Sequence, residues 1–196
     1  MSPPLYALLL AGGASRRMHT DKALLDYQGR PQLLRAWDLL QACAVEQCFV
    51  SIRAGQQHEP LRAGLPTLPD SVDSVGPAAG IVSAQRAHPH VAWLVLACDL
   101  PLLDADTLQA LIRARDPGSD ATAYASRHDG LPEPLCAIWE PPSAALLAER
   151  LRTGRHCPRK ALLQLRTQLL AAPGAALDNI NTPDEAEQVR RQLELH

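Results

Sequence analysis

An apolar run gives way to paired glycines and then to cations in the stretch Leu8-Leu9-Leu10-Ala11-Gly12-Gly13-Ala14-Ser15-Arg16-Arg17-Met18-His19-Thr20-Asp21-Lys22. The run Tyr6 to Ala11 is too short to span a membrane and is typical of a strand buried on both faces. The paired glycines lack Cβ atoms and let a ligand approach the main chain closely. Backbone N–H groups in such a turn form an anion-binding concavity, to which Arg16, Arg17 and Lys22 add positive charge. The stretch therefore predicts a strand opening into a polyphosphate-binding loop; the alternative is a plain strand-to-helix turn with solvated arginines.

The composition predicts one folded domain over residues 1–196. Hydrophobic residues make up 46% and charged residues 20% of the chain, which argues against disorder. The 19 basic and 21 acidic residues leave a net charge of −2. Proteins that bind nucleic acid or membrane surfaces usually carry excess positive charge, so we expect neither partner.

Three further features predict a cytoplasmic protein. The longest apolar run, Val91 to Cys98, is far below the ~20 residues that cross a bilayer. The N-terminus lacks the pattern of an export signal. The five cysteines are odd in number and contain no C-x-x-C pair, so neither a disulfide framework nor a zinc site is indicated.

Alternating strand and helix patterns predict an α/β fold with a mostly parallel central sheet covered by helices on both faces. Strands are predicted at 6–11, 45–52, 65–68 and 91–98. Helices are predicted at about 33–44, at 81–87 with Pro77 suited to a first helical turn, and after a cap at Asp104. The C-terminal half adds a β-excursion, with strands at 121–126 and 135–139, and helices at about 143–151 and 159–165. A capping box of Thr182 and Glu185, with Pro183 at the first helical position, predicts the start of the last helix.

Three polar or glycine-rich loops fall at the carboxyl ends of predicted strands, where ligands bind in sheets of this type. They are the Gly12-Gly13 loop, the loop that begins at Asp70, and the turn at Asp99. The glycine loop matches neither G-x-G-x-x-G nor a Walker loop, so the dinucleotide-binding and P-loop motifs are both absent.

The segment Leu10-Ala11-Gly12-Gly13-x-x-x-Arg17-Met18-x-x-Asp21-Lys22 resembles the signature of the molybdenum cofactor nucleotidyltransferases, most closely the guanylyltransferases. Three more stretches resemble the family's later motifs in the same order. They are Pro69-Asp70-Ser71 with Gly76-Pro77-Ala78-Ala79-Gly80, then Cys98-Asp99-Leu100-Pro101, and finally Asn179-Ile180-Asn181-Thr182-Pro183. The resemblance covers nearly the whole chain and is weakest between Thr122 and Ala171.

This resemblance implies a Rossmann-like nucleotidyltransferase fold and transfer of GMP from Mg-GTP to molybdopterin with release of pyrophosphate. Arg17, Lys22 and Asp99 are the implied catalytic residues, with Asp99 as the Mg²⁺ ligand. Lys22 and Arg17 would stabilise the triphosphate and the departing pyrophosphate. The implied nucleotide-binding residues are Leu10, Ala11, Gly12, Gly13, Lys22, Asp70, Gly80 and Asp99.

The residues leave simpler interpretations open. Asp99 could cap the following turn, Asp70 could start an Asx turn, and Gly80 could serve tight helix packing. Asn179 and Asn181 are candidates for the acceptor site, or else they tie down a turn before the last helix. A basic group of Arg152, Arg155, Arg159 and Lys160 predicts either a site for the pterin phosphate, chiefly Arg155 and Arg159, or a contact with a partner protein; a solvated helix face is the alternative.

The choice of guanine rests on Gly12, because the related cytidylyltransferases usually have alanine there. A cytidylyltransferase, an enzyme for another acceptor such as a sugar phosphate, and a non-catalytic nucleotide-binding module are the rival hypotheses. His19 departs from the glycine usual in the family. The expected partners are GTP, molybdopterin, and molybdoenzymes or cofactor-delivery proteins.

Overall fold

The computed structural model describes residues 2–11, 21–53, 55–72 and 76–194 of the chain. The strands are β1 (Leu5–Leu10), β2 (Asp26–Tyr27), β3 (Arg30–Pro31), β4 (Gln47–Ile52), β5 (Thr67–Pro69), β6 (Ala92–Ala97), β7 (Ala121–Ala125), β8 (Pro132–Trp139) and β9 (Thr167–Leu170). The α-helices are α1 (Gln32–Gln41), α2 (Pro60–Ala63), α3 (Pro77–Ala87), α4 (Ala105–Arg113), α5 (Ser143–Arg152), α6 (Pro158–Leu162) and α7 (Pro183–Glu194). Short 3₁₀ turns lie at Lys22–Leu24 and Gln56–His58.

The central sheet contains seven strands in the order β5-β4-β1-β6-β8-β7-β9. Strands β5, β4, β1 and β6 pair in parallel, β8 is antiparallel to both of its neighbours, and β9 is parallel to β7. The order of the strands reverses between β1 and β6, which creates the switch point at which α/β sheets bind ligands. The mostly parallel sheet with a β-excursion in the C-terminal half is as predicted.

The sheet is covered on both faces, which explains the continuous apolar runs in its central strands. Leu9 of β1 belongs to a core cluster with residues of α1 and α4, whereas the adjacent Leu8 belongs to a second cluster with residues of α3 and α5. All six residues of β6 are buried. Leu, Ala, Val and Ile supply most of both clusters, as expected for a chain with 4% aromatic residues.

The predicted helix caps are confirmed. The Asp104 carboxylate accepts a hydrogen bond from the Thr107 N–H at 2.7 Å and caps α4. In the capping box of α7, the Glu185 carboxylate accepts from the Thr182 N–H at 3.0 Å, and the Thr182 hydroxyl accepts from the Glu185 N–H at 3.3 Å. Both caps satisfy N–H groups that the first turn of a helix leaves without partners.

Other boundaries differ from the prediction. Helix α3 begins one turn before the segment 81–87, and Pro77 occupies its first turn, as predicted. Strand β9, helix α2 and the small β2–β3 hairpin were not predicted. Strand β9 lies at the sheet edge and none of its residues is buried, so its sequence lacks the apolar alternation that signals a strand.

The longest helix that the structure describes, α7, has 12 residues. Within the described ranges, no helix combines the length and the hydrophobicity needed to cross a bilayer.

A buried ion pair joins Glu140, which follows β8, to Arg115, which follows α4 and also contacts the N-terminal segment. Glu140 is fully buried and accepts hydrogen bonds from Arg115 Nε at 2.6 Å and Nη2 at 3.0 Å. Arg115 Nη2 also donates to the main-chain oxygen of Pro3 at 2.8 Å. Removing one member of such a pair leaves the other charge buried without compensation.

We therefore predict that Arg115→Ala lowers the free energy of unfolding by about 3–5 kcal/mol, because Glu140 loses its counter-ion. Urea denaturation followed by circular dichroism would measure the change. The double variant Arg115→Met/Glu140→Leu should recover most of the loss, since it removes both charges and keeps apolar volume. An Arg115→Ala protein as stable as the wild type would show that the pair contributes little.

Candidate active site

The carboxyl ends of the parallel strands border an open cavity of about 250 Å³. Six residues predicted to bind the nucleotide lie in its wall: Leu10, Ala11, Lys22, Asp70, Gly80 and Asp99. Ala11 and Asp99 border the same edge of the sheet, because each follows closely on the end of one of the paired strands β1 and β6. The topology thus brings together motifs that are far apart in the sequence.

Lys22 lies at the centre of this arrangement. Its Nζ donates to Asp99 Oδ2 at 3.1 Å and to Asn181 Oδ1 at 3.1 Å. The side chains of Lys22 and Asp99 are 20% and 23% exposed, so both remain accessible from the cavity. One ammonium group therefore connects the first, third and last motifs.

The segment that carries Asn181 is fixed by its main chain. The Ile180 N–H donates to the carbonyl oxygen of Asp99 at 3.1 Å. The Asn181 N–H donates to Glu185 Oε2 at 2.6 Å, and the pKa of Glu185 is lowered chiefly by this bond. The capping box of α7 thus also positions the asparagine that contacts Lys22.

Arg62 is a site-organising residue that the sequence analysis missed. It is fully buried on α2, and its Nη2 donates to the Ala11 carbonyl oxygen at 2.9 Å and to Asp21 Oδ2 at 2.7 Å. Its Nη1 forms an ion pair with Glu59. The other carboxylate oxygen of Asp21 accepts from the Ala23 N–H at 3.0 Å and caps the 3₁₀ turn that begins at Lys22. Arg62 therefore ties the end of β1 to the turn that presents Lys22.

Asp70 lies on the β5 side of the cavity and is partly buried. The Ser51 hydroxyl donates to Asp70 Oδ1 at 2.9 Å. Burial raises the pKa of Asp70, while the bond from Ser51 and the charge of Arg53 oppose this effect. Ser51 and Arg53 also line the cavity, and neither was singled out from the sequence.

Gly80 provides close packing between α3 and the strands. A Cβ atom at this position would lie 2.5 Å from Ser51 Oγ and 2.8 Å from Leu10 Cδ2. The lack of a side chain therefore lets α3 approach the ends of β1 and β4. This is the helix-packing role considered from the sequence; direct contact between Gly80 and a nucleotide stays a prediction.

Cys98 is a core residue beside the site. It is 5% exposed, and burial is the main cause that raises its pKa, with the neighbouring charge of Asp99 second. A thiol in this environment is a poor nucleophile because the thiolate form is disfavoured.

The remaining predicted residues lie elsewhere. Asn179 is exposed, and Arg155 is exposed with its Nε donating to Thr153 Oγ1 at 3.0 Å. Arg159 donates to Asp129 Oδ2 at 3.0 Å and to Glu133 Oε2 at 2.9 Å. None of these three predicted acceptor residues lines the cavity, so their role stays a prediction. Gly12, Gly13, Arg17 and His19 lie outside the described residues.

The carboxylate of Asp99 suits a Mg²⁺ ion whose other ligands come from a bound phosphate and from water. Lys22 occupies one carboxylate oxygen of Asp99, while Oδ1 has no hydrogen-bond partner in the part of the chain that the structure describes. Among those same residues, no group of three or more His, Cys, Asp or Glu side chains is arranged to hold a metal. Mg²⁺ typically binds one or two carboxylates together with substrate phosphates and water, so a single aspartate matches its needs.

Comparison with known proteins identifies relatives along nearly the whole chain. The family model described as "MobA-like NTP transferase domain" matches residues 7–171. A Synechocystis protein named "Molybdenum cofactor biosynthesis bifunctional protein" is 42% identical over 189 residues, which are 95% of this chain and 54% of that protein. The chain therefore spans about half the length of that relative.

A second relative has nearly the same length as this chain. It is a Pseudomonas paraeruginosa protein named "Molybdenum cofactor guanylyltransferase", 34% identical over 185 residues that cover 93% of this chain and 92% of the relative. Among solved structures, the molybdopterin-guanine dinucleotide biosynthesis protein A of Archaeoglobus fulgidus superposes with a TM-score of 0.83 at 22% identity, covering 97% of this chain and all of the other. That likeness shows the shared fold. The family model and the full-length relative together show that the chain belongs to the MobA-like NTP transferase family and is a nucleotidyltransferase.

Proposed function

We propose that this protein transfers GMP from GTP to molybdopterin and releases pyrophosphate. The observation that carries the proposal is the contact of Lys22 with both Asp99 and Asn181 at the switch point of the sheet. This contact joins three of the motifs that resemble the guanylyltransferases. The full-length relative with the name of a molybdenum cofactor guanylyltransferase supports the same acceptor and nucleotide. We also propose that residues 1–196 act as one domain.

The reaction exchanges one phosphorus–oxygen bond for another. An oxygen of the molybdopterin phosphate attacks the α-phosphorus of GTP, and the bond from that phosphorus to the α–β bridging oxygen breaks. Pyrophosphate carries away the electron pair of the broken bond. The attacking phosphate is already an anionic nucleophile, so no residue has to act as a general base. Catalysis consists mainly of alignment and charge neutralisation.

Lys22 is proposed to stabilise the charge that builds on the leaving group. Its ammonium group donates to Asp99 and Asn181, which supports this role because an already oriented cation needs little reordering during the reaction. Arg17, from the same stretch of sequence, is proposed to add a second cation to the triphosphate.

Asp99 is the residue proposed to hold Mg²⁺. No described residue bonds to its Oδ1, which leaves this oxygen for a further ligand, whereas Oδ2 accepts a hydrogen bond from Lys22. When bound, Mg²⁺ would neutralise phosphate charge and polarise the phosphoryl oxygens. Asp70, at the other end of the cavity, is proposed to contact the nucleotide.

The acceptor is proposed to lie on the β8 side of Asp99. Asn181 and, further out, Asn179 would border it, with Arg155 and Arg159 as candidates for the pterin phosphate. Arg159 is already engaged by Asp129 and Glu133, so an incoming phosphate would have to compete with two carboxylates. We further propose that the enzyme works in the cytoplasm and passes its product to a molybdoenzyme or a delivery protein.

The decisive test is a pyrophosphate-release assay with molybdopterin, Mg²⁺ and either GTP or CTP. We predict release with GTP that depends on both the acceptor and the metal, and markedly slower release with CTP. Faster release with CTP would show that the protein transfers a cytidylyl group and not a guanylyl group. Nucleotide binding without any release would support a non-catalytic binding module instead.

We predict that Asp99→Asn lowers the rate of transfer by about 10²–10³-fold, because the neutral amide loses the metal-binding charge while keeping nearly the same shape. The rate at saturating GTP and increasing Mg²⁺ would measure the effect. Asp106→Asn is the matched control, because Asp106 is exposed in the first turn of α4. Transfer by Asp99→Asn at the control's rate would remove Asp99 from the mechanism.

The variant Arg62→Met keeps Lys22 but loses the link that Arg62 forms between Ala11 and Asp21. We therefore expect Lys22 to be poorly positioned. We predict a fall of about tenfold in kcat/KM, roughly 1.4 kcal/mol of transition-state stabilisation. Arg62→Lys should recover part of the rate, since it can restore one contact to Asp21. If Arg62→Met lowered only the melting temperature and left the kinetics unchanged, Arg62 would be purely structural.

A further inference from the structure

Arg53 is a charged residue of the cavity with no assigned role. It directly follows β4 and lines the same cavity as Lys22 and Asp99. Its main chain is fixed, because the Arg53 N–H donates to Gln56 Oε1 at 2.9 Å and its carbonyl accepts from the Gln56 N–H at 3.1 Å. Among the described residues, its guanidinium forms no hydrogen bond and no ion pair. Within the described ranges, the side chain of Arg53 thus lines the cavity with N–H donors that no other residue occupies.

The register of the sheet places Arg53 next to Asp70. Ile52 of β4 pairs with Pro69 of β5, and the Asp70 N–H donates to the Ile52 carbonyl at 2.9 Å, so Arg53 and Asp70 are neighbours at adjacent strand ends. In the described part of the chain these opposite charges do not form a salt bridge with each other. Asp70 instead accepts from Ser51 through Oδ1. The negative charge nearby reduces the cost of keeping an unpaired guanidinium at this partly buried position.

The order of charges along the sheet edge gives the direction of a bound nucleotide. Lys22 and Asp99 mark the phosphate end, at β1 and β6. Neighbouring strands are ~4.8 Å apart, so Arg53, at the end of β4, lies roughly 10 Å along the sheet edge from the end of β6, two strand spacings away. This span suits a nucleotide with its phosphates at one end and its base at the other. With its phosphates at Lys22, the nucleotide would direct its base towards β4 and β5, where Arg53 lies.

The guanidinium group is chemically selective among bases. Guanine presents two neighbouring acceptors, O6 and N7, which accept two parallel hydrogen bonds from one arginine. Adenine has an amino donor in place of O6, and that donor faces the arginine N–H groups unfavourably. An arginine at this position therefore has the donors and the charge to distinguish these two purines.

We propose that Arg53 reads the guanine of the nucleotide by donating two N–H groups to O6 and N7. This proposal rests on the proposed use of GTP and adds the residue that selects the base. Arg53 contacts the substrate far from the reacting phosphorus, so its effect falls on nucleotide binding.

The test compares GTP with 7-deaza-GTP, in which a C–H group replaces N7 and removes one acceptor. Isothermal titration calorimetry with Mg²⁺ and without molybdopterin would give both dissociation constants for the wild type, for Arg53→Met and for Arg113→Met. Arg113 is an exposed arginine in the last turn of α4 and serves as the matched control.

We expect the wild type and Arg113→Met to bind GTP about tenfold more tightly than 7-deaza-GTP, the value of one hydrogen bond to a charged group. Arg53→Met should bind both ligands with nearly equal affinity. If Arg53 had only a structural role, Arg53→Met would bind both ligands more weakly by the same factor, and the ratio of the two dissociation constants would not change. That result would overturn the proposal. Equal binding of the two ligands by the wild type would also overturn it.

The outcome is separable from that of the proposed function. If the wild type favours GTP over 7-deaza-GTP through Arg53 but no pyrophosphate is released with molybdopterin, the proposed transfer to molybdopterin fails and the base contact stands. If CTP binds more tightly than GTP, the guanine contact and the guanylyl transfer both fail. Cytosine also offers two adjacent acceptors, O2 and N3, so that result would assign Arg53 to the other base.

Discussion

The placement of one ammonium group, Lys22 Nζ, depends on the whole sheet. It lies 3.1 Å from Asp99, which is 77 residues away in the chain, and 3.1 Å from Asn181, which is 159 residues away. A partly exposed ion pair of this kind contributes only about 0–1 kcal/mol to stability, so its importance is geometric. The strand order sets β1 beside β6, the capping box of α7 fixes the segment of Asn181, and Arg62 holds the turn of Lys22. Each of these features serves the position of the same group.

The sequence predicted the parts of this arrangement that have local signals. The apolar runs of β1 and β6 and the caps at Asp104 and Thr182 follow from rules that operate within a few residues. The motif resemblance identified Lys22 and Asp99 as one site, and the structure places them in contact. The same resemblance predicted Gly80 as a nucleotide-binding residue, whereas the structure shows that it allows α3 to pack closely against the strands.

The missed features depend on contacts across long sequence distances. Arg62 occurs in the stretch Glu59-Pro60-Leu61-Arg62, which reads as an ordinary surface turn. Only the fold shows that it is fully buried against Ala11 and Asp21. Strand β9 was missed because edge strands need no apolar face. Likewise, the carboxylates that engage Arg159 come from Asp129 and Glu133, about 30 residues earlier, and no local pattern connects them.

The charge balance of the cavity explains why the described site needs further cations to hold a triphosphate. Among the described residues of its wall, the carboxylates are Asp21, Asp70 and Asp99, and the cations are Lys22 and Arg53. These five side chains have a net charge of −1. Asp21 also forms an ion pair with the buried Arg62. A triphosphate would be repelled by Asp99 unless a divalent ion lay between them, since phosphate and carboxylate carry the same sign. The metal is therefore an electrostatic requirement of the proposed substrate as well as a chemical one. Arg16 and Arg17, which belong to the same glycine-rich stretch of the sequence, are the proposed source of the remaining positive charge.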